Sequence, residues 1–316
     1  MSITGRGLGR RFLLAALLLV VSPVATACGD AEPSDDSVRG LAILSGDVGR
    51  TRLTVHAAAD GAASDVDVPD PATAWISGAP GGVLVATMAD GRLAIRDVDG
   101  PGATGAWRFV EPASDGQSIG SVLFGAASPD GARVAALALG AAGQFGLAVT
   151  EAETGDAVVF PIEDEPILTS PAWIDGERIG VVVADAELTG AVTLADVGSG
   201  DLTGGPGNVR AVAMSGDGAV AVYVSTTDGR LYGSNAASWL AGQEIAALPI
   251  EAPSSEAVPG SFALDARGER LAVVWEAPDG SVVTIAVHAR TSAGWSVAGR
   301  LDPPAGDPRA VVTWLR

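Results

Sequence analysis

After Arg39, short apolar runs rich in Val, Ala, Leu and Ile alternate with Gly, Asp and Pro, and no segment holds a helical period over three turns. Many short strands separated by tight turns are the expected result, so the pattern predicts an all-β chain. The stretch from Ser170 to Val183, SPAWIDGERIGVVV, contains the unit in full: a short apolar strand, an Asp-Gly turn and a second apolar strand. Gly in that turn supplies the positive φ that a tight hairpin needs.

The unit recurs. Its second strand reads LAIL from Leu41, VLVA from Val83, VAAL from Val134, IGVV from Ile179, VAVY from Val220 and LAVV from Leu271, with starts 42, 51, 45, 41 and 51 residues apart. Four-stranded propeller blades repeat at roughly 40 to 50 residues. The preceding strands end at an apolar slot, assigned to Trp75, Ala127, Trp173, Met214 and Leu264, and turns such as SPDGAR and SGDGA follow. The first unit lacks an opening strand, and RAVVTWLR from Arg309 to Arg316 supplies one, with Trp314 assigned to the slot of Trp75 and Trp173. Residues 39–316 are therefore predicted to form a six-bladed β-propeller, closed by the C-terminal strand completing the first blade, with five or seven blades as fallback counts. Closure removes the sheet edges that an open array would expose.

The N-terminus follows a different pattern. Arg6, Arg10 and Arg11 precede the apolar run Phe12 to Val21, and small residues at Ala25, Thr26 and Ala27 lead to Cys28. This order is that of a secretory signal peptide over residues 1–27, and the run is shorter than the about 17 to 25 residues a membrane span needs. The segment ATAC resembles a bacterial lipoprotein lipobox, departing from its commonest form by Ala25 in place of Leu. That resemblance implies a lipid on Cys28, the one cysteine of the chain, while Ala-Thr-Ala alone also fits an ordinary signal-peptidase site and release. Residues 28–38 read as an acidic tether, reaching at most about 35 Å when extended.

Composition narrows the function classes. Hydrophobic residues make up 47% of the chain at a mean hydropathy of +0.32, enough for a sizeable core. All 19 basic residues are Arg, so no Schiff-base lysine, phosphate-loop lysine or Ser-Lys dyad can form. A formal charge of -19 repels nucleic acid and anionic lipid headgroups, so nucleic-acid binding is excluded from the expected functions.

PAWIDGERIGVV and ASPDGARVAAL are similar to the Trp-Ser-Pro-Asp-Gly blade motif of TolB-like β-propellers, over nearly all of residues 39–316. With the lipobox and the Arg, Ala and Gly bias, the chain also resembles the propeller portion of LpqB-type actinobacterial lipoproteins, whose additional domain between lipid and propeller is not read here. That likeness implies an envelope partner such as the sensor kinase associated with that family.

Trp75, Trp173 and Trp314 are read as packing residues because they share a repeat position. His56 and His288 lack a repeat-matched carboxylate set and are read as surface residues, so neither a metal ion, a cofactor nor a catalytic residue is assigned. No convincing nucleophile elbow is present. A chain entering blade one at its second strand leaves the second-to-third strand loops and the inter-blade connections on the face away from the tether. Their acidic residues make Asp185, Glu187, Glu163, Asp164, Glu165, Glu276 and Asp279 the candidate binding face for a basic protein segment. The expected protein is a monomeric, extracytoplasmic lipoprotein anchored to the outer face of the cell membrane, acting as a protein-binding or scaffold module of the cell envelope. The alternative is a solute-binding or hydrolytic propeller using the channel mouth.

Overall fold

The repeated turn is closed by its own side chains. In blade three, Ser128 Oγ donates to Asp130 Oδ1 at 2.6 Å and accepts the Arg133 N–H at 2.9 Å, while Asp130 Oδ1 takes the Ala132 N–H at 3.0 Å. Blade five repeats this with Ser215 and Asp217, at 2.6 Å between their oxygens. Gly131 and Gly218 sit at φ 73 and 67, and a side chain on Gly218 would also come within 2.5 Å of the Ile174 carbonyl of the preceding blade. The turn glycine is therefore needed both for the hairpin and for the approach of the neighbouring blade.

The computed structural model describes residues 39–315 apart from 48, 58–60, 80–81, 99–104, 141–142, 163–164, 167–168, 185–188, 244–246 and 303–308. The signal peptide, Cys28 and the acidic tether lie outside the described residues. Within them, six small antiparallel sheets form a six-bladed propeller, as the repeats predict. From the channel outwards, blade one is Ala310–Trp314, Leu41–Ser45, Arg52–His56 and Ala63–Val66. Blade two is Thr73–Ala79, Val83–Met88, Leu93–Asp97 and Arg108–Val110, and blade three is Ser121–Ala127, Arg133–Leu139, Phe145–Glu151 and Ala157–Pro161. Blade four has a two-part inner edge, Glu165–Pro166 and Ala172–Trp173, followed by Arg178–Ala184, Gly190–Asp196 and Leu202–Gly207. Blade five is Val209–Met214, Val220–Ser225, Leu231–Asn235 and Leu248–Ile250, with the short helix Ala236–Leu240 before its outer strand. Blade six is Val258–Leu264, Arg270–Glu276, Val282–Thr291 and Gly294–Leu301.

Closure occurs where the sequence places it. The C-terminal strand pairs antiparallel with the first strand of the chain, Trp314 opposite Leu41 and Ala310 opposite Ser45. The buried apolar residues fall into six clusters, each shared by two adjacent blades, so the core is a set of inter-blade layers and the middle strands are covered on both faces. Two of these layers share one device. Trp173 Nε1 donates to the Ala126 carbonyl of the preceding blade at 2.9 Å, and Trp314 Nε1 to that of Ala263 at 2.9 Å. Arg133 and Arg270, from those preceding blades, lie over the two indoles at 5.4 and 4.3 Å.

Trp75 does not occupy that slot. It pairs opposite Thr87, and Ala79, opposite Val83, holds the position equivalent to Trp173 and Trp314. The turn after Ala79 is shorter than the others, which moves the register away from the aromatic residue; Trp75 meets Phe124 of blade three edge-on at 5.3 Å. The histidines are also displaced from their expected positions. His56 and His288 are 8% and 2% exposed, on the faces of third strands that the preceding blade covers, and the Nδ1 of His56 lies 3.1 Å from the Gly61 carbonyl. Burial, helped by Arg300, pushes the pKa of His288 down from 6.5 to about 4.

Deleting Arg309 to Arg316 should abolish the cooperative thermal transition, because blade one loses its inner strand and the layers on both sides of it; an unchanged calorimetric melt would disprove the closure. Stability should also fall as pH drops from about 6.5 to 4, since the unfolded chain takes a proton at His288 that the folded chain refuses. The contribution is on the order of 3 kcal/mol. His288→Gln should flatten that part of a urea-unfolding stability profile, and parallel profiles for the two proteins would refute it.

Candidate functional site

Each inner strand has one edge bonded to its blade and one facing the channel, so its outer backbone groups need partners from next door. Hydroxyls of the preceding blade accept the N–H groups: Thr313 Oγ1 takes Gly78 N at 2.7 Å, Ser77 Oγ takes Ala127 N at 3.1 Å and Ser261 Oγ takes Val312 N at 3.2 Å. The channel is consequently narrow and lined by Ala, Gly, Pro and Ser together with Trp173, Met214 and Trp314. A cavity of about 130 Å³ opens beside the turn residues Pro129, Gly216 and Ala266, and no Asp, Glu, His, Arg or Cys is among its lining residues. This void has room for about four waters. Among the described residues no three His, Cys, Asp or Glu side chains converge on a metal-sized point.

The two faces of the ring differ in origin. The proximal face carries the first-to-second strand turns, and the chain enters the propeller there. Arg270 Nη1 donates to the Arg39 carbonyl at 2.8 Å, and Leu315 N to that of Gly40 at 2.8 Å. The distal face carries the second-to-third strand loops and inter-blade connections, with Asp47, Asp90, Asp228, Glu256 and Asp279 exposed. Of the predicted face, Asp185, Glu187, Glu163 and Asp164 lie outside the described residues. Glu165 falls in a two-residue strand opposite Ala184. Glu276 and Asp279 occupy the end of a blade-six strand and the loop after it.

The distal carboxylates are organised by their own loops. Asp279 accepts both the hydroxyl (2.6 Å) and the N–H (3.0 Å) of Ser281, which hold its pKa below the ordinary value. The Tyr232 hydroxyl does the same for Asp228 at 2.6 Å. At Asp90 partial desolvation would raise the pKa, but the Arg92 side chain and N–H outweigh it and lower it. Arg92 also pairs with Asp70 at 2.8 Å, tying two connections of blade two together. These groups stay charged at neutral pH and present a fixed negative rim.

Glu276 differs from the rest. Half-buried, it has its pKa raised by desolvation against the opposing pull of Arg309 and Arg210. Neither arginine was singled out from the sequence, where each is an isolated basic residue next to an apolar strand. Ring closure brings them to the same end of the channel, Arg210 at the start of the blade-five inner strand and Arg309 just before that of blade one.

No protein-family model matches the chain, and no curated protein matches it. Solved structures do. A TolB-like protein from Agrobacterium tumefaciens is 16% identical, with 87% of this chain and 98% of that chain covered, at a TM-score of 0.57. TolB from Acinetobacter baumannii is 12% identical over 85% of this chain and 70% of that chain, at a TM-score of 0.51. A chain of a nidogen–laminin complex is 12% identical over 87% and 98%, at 0.58. At these identities the similarity is one of architecture, and the chain has a TolB-like β-propeller fold.

Proposed function

We propose that this protein is a lipid-anchored propeller on the outer face of the cell membrane, serving as a protein-binding or scaffold module of the cell envelope. The observation that carries the reading is the position of Arg39 and Gly40 on the proximal face, opposite the acidic distal loops. A tether leaving there from a lipidated Cys28 holds the turn-rich face toward the bilayer and turns the distal rim outward. Fixed carboxylates on that rim suit a basic segment of an envelope protein, with charge steering the encounter and salt weakening it. The resemblance to LpqB-type lipoproteins agrees with an envelope partner. The solute-binding or hydrolytic reading draws on the 130 Å³ cavity, whose uncharged lining offers no acid–base pair.

Intact-mass measurement of the membrane-extracted protein should give a chain beginning at a diacylglyceryl-modified Cys28, and an unmodified Cys28 would overturn the anchor. Crosslinking in intact cells followed by mass spectrometry should recover an envelope protein through a Lys- or Arg-rich segment. The triple change Glu163→Lys, Asp164→Lys, Glu165→Lys should reduce that crosslink several-fold at low salt. An equal yield from the variant would sink the acidic-face assignment.

A further inference from the structure

The sequence contains nine Asp-Gly dipeptides, and seven of them lie wholly among the described residues. Six of the seven, at Asp90, Asp130, Asp175, Asp217, Asp228 and Asp279, are closed in the same way. Each carboxylate accepts the N–H of the residue two further along the chain, at 2.8 to 3.1 Å. In all of these turns but that of Asp175 the glycine N–H is held as well, donated to a carbonyl two or three residues before the aspartate at 2.8 to 3.0 Å.

Asp115-Gly116 is built differently. It is the two-residue loop between the short strands Ala113–Ser114 and Gln117–Ser118, in which Ser114 pairs with Gln117 and Ala113 with Ser118. Both loop residues have positive φ, 51 for Asp115 and 73 for Gly116, as so tight a hairpin requires. Among the described residues neither the Asp115 carboxylate nor the Gly116 N–H has a partner, both residues are exposed, and a Cβ on Gly116 would meet nothing within 4 Å. The carboxyl carbon and the amide nitrogen that could join in a ring are therefore both free here, whereas every other turn holds at least the carboxyl. Two residue pairs make a weak hairpin, so this loop opens without the blades, and Asp115 then reaches the angles that bring its side chain onto the Gly116 nitrogen.

We propose that Asp115 is a site of spontaneous isoaspartate formation in the folded protein. The Gly116 nitrogen attacks Cγ of the protonated Asp115 carboxyl; the N–Cγ bond forms, the amide proton and the carboxyl hydroxyl leave as one water, and a five-membered succinimide results. Glycine favours the step because no Cβ shields its nitrogen. Water then opens the ring. Cleavage of the N–Cγ bond restores aspartate, whereas cleavage between the nitrogen and the Asp115 main-chain carbonyl carbon leaves the chain running through Cγ with the α-carboxylate free. One water leaves and one returns, so the mass is unchanged and no other reagent is needed. The isomer adds one carbon to the main chain inside a two-residue loop, which breaks the Ser114 to Gln117 register. It thereby loosens the hairpin from blade three, where the Ala113 N–H donates to the Gly155 carbonyl at 3.0 Å and Ala113 lies beside Asp156. This modification is independent of the scaffold reading, since it uses neither the acidic rim nor the anchor.

The full-length protein, aged for weeks at mildly acidic pH, can be digested and fragmented in a mass spectrometer so that isoaspartate is placed residue by residue. In the folded protein Asp115 should isomerise roughly tenfold or more faster than the six capped aspartates, which react only in the fraction of time their turns are open. In a sample aged in guanidinium chloride, which removes the turns, the seven rates should come together to within about threefold. Equal rates at the seven sites in the folded protein, or a lead of Asp115 that persists unchanged in denaturant, would overturn the proposal. Asp115→Asn, which suits the same left-handed position, should pass through the same ring with loss of ammonia, a reaction that changes the mass and is read directly. Retention of the asparagine in the folded variant over the same period would equally overturn it.

Discussion

The propeller depends on how its inner strands satisfy a backbone edge that has no strand beside it. An amide buried without a partner costs about 1–3 kcal/mol, and a ring of such edges would cancel much of what inter-blade burial provides. The solution runs both ways around the ring. A hydroxyl from the blade before receives the N–H, as Thr313, Ser77 and Ser261 do, and an indole or hydroxyl from the blade after donates to the carbonyl, as Trp173, Trp314 and Ser170 do. These short side chains draw adjacent inner strands together and keep the channel narrow. The same side chains that close the ring border the cavity of about 130 Å³ at its centre.

Architecture was legible because the hairpin unit is written locally: Ser, Asp and Gly in the turn and apolar residues beside it specify their own hydrogen bonds. Blade number and closure followed from counting that unit. Assigning Trp75 to the slot failed because the identity of the aromatic residue outweighed the turn length; Ala79 holds the slot since the blade-two turn is shorter. His56 and His288 were misplaced for a more general reason. In a propeller both faces of a blade are covered, so alternation along a middle strand does not separate inside from outside.

The candidate site was legible only as composition. Acidic residues on loops could be counted and assigned to a face, but the bonding that distinguishes Asp279, tied to Ser281, from Glu276, laid over Gly260, depends on the fold. Arg210 and Arg309 carry no mark in the sequence, since they belong to blades five and one, on either side of the blade that holds Glu276.

That closure also has a mechanical side. The strand Leu41–Ser45 lies between the C-terminal strand and Arg52–His56, bonded along its length to both. A pull on the chain ahead of Arg39 is directed along this strand, and ladder bonds run across it, so they are loaded together in shear rather than peeled one by one. Gly40 adds two further attachments, to the His56 carbonyl at 2.9 Å and from Leu315 N at 2.8 Å. The seam that closes the ring thus also resists tension applied at the N-terminus, and a body hanging from its own N-terminus would bear the load there.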